Sequence, residues 1–189
     1  MPAPLPFATF LFDLDGTLLD HFDAIHASYV HTLPQLGLPA PTLAAVRAAV
    51  GGGLENALLK FVPRERLAEA LAIYRPYWDA TMLDRAHLFP GARELLEDLH
   101  ARGARLAVVT NKLGSSSRAI CTHLGLDGLL DGVFGAGDTP WLKPDPAFVR
   151  HVLARLGRDR AGALLVGDSP YDVAAALNAA LACWCVTTG

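Results

Sequence analysis

A chain of 189 residues suits one domain of ordinary size, or one core carrying a small inserted domain. Its 52% apolar content is ample for a buried core and argues against disorder, while 16 Lys and Arg against 19 Asp and Glu leave a net charge of −3. No Lys/Arg-rich run occurs, so nucleic acid and anionic membrane have no electrostatic case as partners.

The opening MPAPLPFATF has neither a basic n-region nor the long apolar stretch of a secretory signal, and no run of 18 apolar residues follows. The chain is expected to be cytoplasmic. FATFLFD (7–13) is the first predicted strand. Residues 20–84 then offer no convincing strand, only helical patterns at Asp23–Leu36, Thr42–Val50, Leu54–Phe61 and Arg64–Leu83. Pro34, Pro39, Pro41, Gly51–Gly53 and Pro63 punctuate them. This insert of about 65 residues is expected to be a helical cap domain (20–84), with linkers near Leu18–His21 and Asp84–Pro90, on a core made of 1–19 and 85–189.

Strand and helix alternate from there. Arg93–Arg102 is a predicted helix with Leu95, Leu96 and Leu99 on one face and Gly103 behind it as a C-cap. ARLAVVT (104–110), a weaker DGVFGAGD (131–138), GALLVGD (162–168) and ACWCVTT (182–188) are predicted strands. Helices are predicted between them at Ser115–Leu124, Pro146–Leu156 and Pro170–Ala180, the last two with Pro at the first helical position. Near-continuous apolar strands suit burial on both faces, and the order implies right-handed crossovers in a doubly wound, parallel-sheet α/β core. Cys121, Cys183 and Cys185 have no framework spacing and read as buried, reduced thiols, the last two on one sheet face.

The first strand ends in Asp13-Leu14-Asp15-Gly16-Thr17. Residues two apart on an extended chain face one side, so Asp13 and Asp15 can share a site, and Gly16 permits a sharp turn. Paired carboxylates need a cation, and hard oxygen ligands favour Mg²⁺. Alone, Asp-x-Asp-Gly also marks an ordinary turn. Val109-Thr110-Asn111, Lys143-Pro144-Asp145-Pro146 and Gly167-Asp168-Ser169-Pro170-Tyr171-Asp172 lie near the ends of the following predicted strands. Asp145 is a helix cap, and Asp172 falls in the first turn of the last predicted helix, beside Asp168. Each group has a bland reading by itself: a cap, a surface charge, a dipole partner. Together they gather at the carboxyl ends of parallel strands, where open α/β sheets build their sites.

The four blocks DLDGT (13–17), VVTN (108–111), KPDP (143–146) and GDSPYD (167–172) resemble, in order, the four motifs of haloacid dehalogenase-type phosphatases. The insert after the first motif resembles a C1-type cap, and the ensemble is most similar to the phosphoglycolate phosphatase-like branch. The resemblance covers nearly the whole chain. It implies a Mg²⁺-dependent phosphohydrolase acting on a small phosphorylated metabolite. Asp13 would be the nucleophile, and Asp15 the acid that protonates the leaving oxygen and then activates water. Thr110 and Lys143 would bind the phosphoryl group, with Gly16, Thr17 and Asn111 as further substrate contacts. Mg²⁺ would sit on the Asp13 carboxylate, the Asp15 carbonyl and Asp168, with Asp172 closing the acidic pair. Candidate selectivity residues in the insert are His26, Arg47, Gly51–Gly53 and Asn56.

Two features depart from the family pattern. His21 stands where members often have Ser, and the chain ends at Gly189 directly after the last predicted strand, leaving a sheet edge less covered. Other readings make different demands. A signal receiver domain would carry its acidic pair after the first strand and its phosphorylated Asp after the third, with no such insert. A dehalogenase would lack Asp15, a phosphonatase would need an insert lysine such as Lys60, and a sugar phosphomutase would keep all four motifs.

Overall fold

The computed structural model describes residues 5–189. In chain order the elements are β1 (Thr9–Phe12), β2 (Leu19–Asp20), α1 (Phe22–Gln35), α2 (Leu43–Arg47), α3 (Leu54–Leu58), α4 (Leu67–Thr81), β3 (His87–Leu88), α5 (Ala92–Ala101) and β4 (Arg105–Leu113). They continue as α6 (Gly114–His123), β5 (Gly132–Ala136), α7 (Pro146–Arg155), β6 (Ala163–Gly167), α8 (Pro170–Ala179) and β7 (Ala182–Cys185).

Five strands form one parallel sheet in the order β5-β4-β1-β6-β7. The period-2 alternation of the strands divides the core. Phe10, Phe12, Leu106, Val108, Leu164 and Val166 point to one face, with Leu96 and Leu99 of α5 and Ile120 of α6. Leu11, Ala107, Val109 and Leu165 point to the other, against Phe148 and Val152 of α7 and Ala175 of α8. Helices on both faces of a parallel sheet make the doubly wound α/β architecture expected from the sequence. The central β1 has β4 and β6 as its neighbours, so the chain order reverses across it and opens a crevice at the strands' carboxyl ends.

Helices α1–α4 form a separate layer over that crevice, and its Tyr29, Tyr74 and Trp78 join the apolar cluster of Phe10 and Phe12. The linkers into this layer hold a small antiparallel pairing that the sequence reading missed: Leu19 with Leu88 and Asp20 with His87. Two-residue strands carry too little alternation to register as a pattern. β4 also runs three residues past the predicted end, to Leu113, with a register irregularity between Val109 and Leu113. The thiols need a correction. Cys121 is buried, but Cys183 is half-buried and Cys185 exposed, because β7 is an edge strand with a partner on one side only. Among the described residues no helix is long and apolar enough to cross a membrane.

Candidate active site

Asp13 is placed by the β1 ladder, its N–H donating to the Val166 carbonyl at 2.9 Å, and its side chain is buried. The chain then turns through Gly16 at φ +85°, where a Cβ would lie 2.5 Å from Asp168 Oδ2. Only glycine allows this close approach. Thr17 Oγ1 donates to Asp168 Oδ1 at 2.8 Å, and Thr188 Oγ1 donates to the Gly16 carbonyl at 2.5 Å. The DLDGT turn is thus fastened to the end of β6 through Asp168 and to the segment after β7 through Thr188.

α8 begins with a capping box in which Ser169 N–H and Oγ both donate to Asp172 Oδ2, at 3.0 and 2.5 Å. The other oxygen, Oδ1, receives the ammonium of Lys143 at 2.6 Å. Lys143 Nζ also lies 2.8 Å from Asp13 Oδ1, an ion pair. Burial opposes the charge on Lys143, yet Asp13 and Asp172 outweigh it and hold the ammonium above its ordinary range. Burial, reinforced by Asp172 and opposed by Lys143, pushes the Asp13 carboxyl up to about 7. Asp168 is also raised, again chiefly by burial.

Ligand atoms of Asp13, Asp168 and Asp172 lie within 4.8 Å of one another. One buried ammonium against three carboxylates leaves negative charge uncompensated, and a hard divalent cation suits such an oxygen donor set. Both oxygens of Asp172 are engaged by hydrogen bonds, whereas Asp13 Oδ1 has the Lys143 ammonium beside it and Asp168 Oδ1 has Thr17. The open ligand positions are therefore on Asp13 and Asp168.

The β4 end supplies the opposite wall. Thr110 is buried and its Oγ1 accepts from Lys112 N–H at 3.2 Å. Asn111 acts as a brace: its Oδ1 accepts from Lys143 N–H at 2.8 Å, and its Nδ2 donates to the carbonyls of Lys143 and Gly51, each at 2.9 Å. Its side chain ties the KPDP block and the helical layer to β4. Asp15 is drawn away from the acidic group to the ammonium of Lys112, at 2.8 and 3.0 Å from its two oxygens. His21 Nδ1 stands 3.8 Å from Asp15 Oδ1, and His21 Nε2 donates to the Met82 carbonyl at 2.7 Å. Burial, then Lys112, lowers the His21 pKa to about 4, so the ring is neutral near pH 7.

A cavity of about 380 Å³ opens between the strand ends and the helical layer, lined by Asp13, Asp15, Thr110 and Asn111 below and by Gly51–Gly53 and Asn56 above. His26 and Arg47 lie outside this lining: His26 bonds the Pro41 carbonyl, and Arg47 covers the Phe22 ring. Lys60 bonds the Ala48 carbonyl and lies outside it too, so it supplies no ammonium to the cavity. Lys112, Trp78 and Ser116 line the cavity and were missed from sequence. Lys112 had a signal: it lies two residues beyond Thr110, on the same side of an extended strand.

A family model described as haloacid dehalogenase-like hydrolase matches residues 10–186. A Dickeya dadantii protein named probable phosphatase IndB is 35% identical over 185 residues, covering 95% of this chain and 80% of its own length. The phosphoglycolate phosphatase of Rhodospirillum rubrum is 38% identical over 181 residues, covering 88% and 73%. The crystal structure of a "predicted phosphoglycolate phosphatase" from Haemophilus somnus aligns with a TM-score of 0.89 at 28% identity, covering 98% and 87%. The chain therefore belongs to the haloacid dehalogenase-like hydrolases, among the phosphatases that resemble phosphoglycolate phosphatase.

Proposed function

We propose that this protein is a Mg²⁺-dependent hydrolase of a small-molecule phosphate monoester that works through an aspartyl-phosphate on Asp13. The observation that carries the reading is the buried Asp13 carboxyl group paired with Lys143, at the cavity floor and within the Asp13–Asp168–Asp172 group. Asp13 attacks phosphorus in line and the ester P–O bond breaks. Asp15 gives its proton to the departing alcohol oxygen. Asp15 then takes a proton from water as that water attacks the aspartyl-phosphate, and inorganic phosphate leaves with Asp13 restored. The sum is monoester plus water giving alcohol plus phosphate. Thr110 and Lys143 hold the phosphoryl oxygens, and Gly16 and Thr17 shape the turn that carries Asp15.

Mg²⁺ on Asp13, Asp168 and the Asp15 carbonyl would supply charge neutralisation, which dominates phosphoryl-transfer catalysis. It would also hold Asp13 as the carboxylate that burial alone disfavours. Asp172 closes the acidic group and orients Lys143. Residues 20–84 serve as the cap, closing over the substrate about the Leu19–Asp20 and His87–Leu88 pairing and excluding water. The cytoplasm, with its small phosphorylated metabolites, is the expected setting. A panel of phosphate monoesters assayed with Mg²⁺ tests the proposal. Phosphate release that stops in excess chelator is expected; no release from any member, or full activity in chelator, overturns it.

A further inference from the structure

Gly51, Gly52 and Gly53 lie between α2 and α3, on the cap side of the cavity. Two of them are glycines for backbone reasons. Gly51 has φ +114° and Gly53 φ +87°, a region that L side chains rarely adopt. Gly52 has no positive φ, so its missing side chain needs another cause.

That cause is Tyr171, in the first turn of α8 in the core. A Cβ on Gly52 would lie 2.6 Å from Tyr171 Oη and 2.8 Å from Cζ. One on Gly51 would lie 3.2 Å from Cδ2 of the same ring and 3.3 Å from Ser169 Cβ. The ring therefore lies along two consecutive residues of the cap loop, and Gly52 is buried. Tyr171 itself is outside the cavity lining, so it can act on a bound ester only through the loop.

Both partners in this contact are braced. Asn56 Nδ2 donates to the Gly52 carbonyl at 2.8 Å from within the cap, and Asn111 Nδ2 of the core donates to the Gly51 carbonyl at 2.9 Å. On the other side, Tyr171 stands between Ser169 and Asp172, whose capping box fixes the start of α8. Asp172 in turn holds Lys143. A braced loop on a braced helix start absorbs little: a methyl group at position 52 has to displace the ring or lift the loop, and the cavity wall with it.

We infer that Tyr171 is a positioning residue for the cap. Its ring is the seat on which Gly51 and Gly52 dock, and it sets how closely the cavity wall approaches the leaving group. The effect on turnover rests on the phosphatase reading above, whereas the docking contact can be measured without substrate.

The test is a cycle of four full-length chains: wild type, Gly52→Ala, Tyr171→Leu and the double variant. Leucine removes the outer ring atoms and the hydroxyl that the new methyl group would meet. Kinetics with Mg²⁺ use acetyl phosphate, whose small leaving group asks little of the wall, and 4-nitrophenyl phosphate, whose ring needs it. We expect Gly52→Ala to lower kcat/KM for the aryl ester by roughly tenfold or more, the scale of a misplaced active-site wall, and to lower that for acetyl phosphate far less. The double variant should regain at least roughly threefold over Gly52→Ala alone, because residues in contact couple whereas distant ones add. With 3-fluorotyrosine incorporated, the ¹⁹F resonance of Tyr171, identified by its absence in Tyr171→Leu, should shift in Gly52→Ala. Losses that simply multiply in the double variant, equal losses on both esters, or an unmoved Tyr171 resonance overturn the inference. No phosphate release from either ester by wild type overturns the phosphatase reading instead, and the resonance then decides the docking contact alone.

Discussion

Lys112 holds Asp15 by both carboxylate oxygens, at 2.8 and 3.0 Å, while its ammonium lies 4.3 Å from the centre of the Trp78 ring. One core cation therefore binds the proposed acid–base and a cap aromatic at once. Trp78 adds a hydrogen bond to Ser116 at the start of α6, so cap position and Asp15 orientation are linked. Closure that shifts Trp78 would also shift the group that holds Asp15.

Lys112→Met keeps the length and apolar contact of the side chain but removes the anchor. We expect kcat for alkyl phosphates to fall by roughly 10- to 100-fold, with a much smaller loss for aryl phosphates that need little proton donation. A loss confined to KM and equal for both substrates would make Lys112 a binding residue and not a positioning one.

Gly16→Ala tests the turn between the carboxylates. The substitution places a Cβ 2.5 Å from Asp168 Oδ2 at a backbone φ of +85°. It should cost about 1–2 kcal/mol of stability and displace Asp168 from the acidic group. Mg²⁺ affinity should fall by more than roughly tenfold. Wild-type affinity in a magnesium titration would detach Asp168 from the ion.

How much of this was visible in the sequence depends on range. β1, β4, β6 and the helices that follow them announce themselves through local apolar pattern and caps, and DLDGT and KPDP concentrate their chemistry within a few residues. Asp15–Lys112 is a partnership across 97 positions, and no local pattern carries it. Tyr74 and Trp78 sit one helical turn apart on α4 and read as ordinary core, which they partly are. Arg47 is a candidate contact by its place in the insert, and its guanidinium lies 4.2 Å over the Phe22 ring and 3.9 Å from Asp20, outside the cavity lining. Asn111, a substrate contact by resemblance, lines the cavity, and its amide also joins three segments across long sequence separations.

His21 gives a pH prediction. Its folded pKa, lowered to about 4 from 6.5 by burial and then by Lys112, means that the unfolded chain binds more protons between those values. The stability associated with neutral His21 is fully present above about pH 6.5 and is lost as pH falls toward 4, on the order of 3 kcal/mol at most. Urea melts in chelator at pH 7.5, 6, 5 and 4.5 should show wild type losing more stability than His21→Gln, which keeps a donor for the Met82 carbonyl. Parallel curves for the two proteins would mean that the imidazole titrates freely.

The most discriminating prediction concerns Asp15 itself. An alkoxide is a poor leaving group, so attack by Asp13 on an alkyl phosphate needs a proton delivered as the P–O bond breaks. An activated aryl oxide leaves unaided. Breakdown of the aspartyl-phosphate then needs a base for the attacking water in both cases. Asp15 lines the cavity beside Asp13 and stands clear of the Asp13–Asp168–Asp172 group, held by Lys112. Its side chain is therefore separate from the proposed ion's ligands, and proton transfer requires it to release one oxygen from Lys112. Asp15→Asn should therefore cut alkyl phosphate turnover by more than roughly 10²-fold, the lower end of what general acid–base catalysis contributes. With an aryl phosphate the first step should persist and covalent phosphate should accumulate on Asp13, visible as a burst in rapid-quench measurements. A merely structural Asp15, needed only to keep the Asp15-Gly16 turn in place, predicts equal losses on both substrates and no trapped phosphate. That outcome would leave the proton transfers without a residue to perform them.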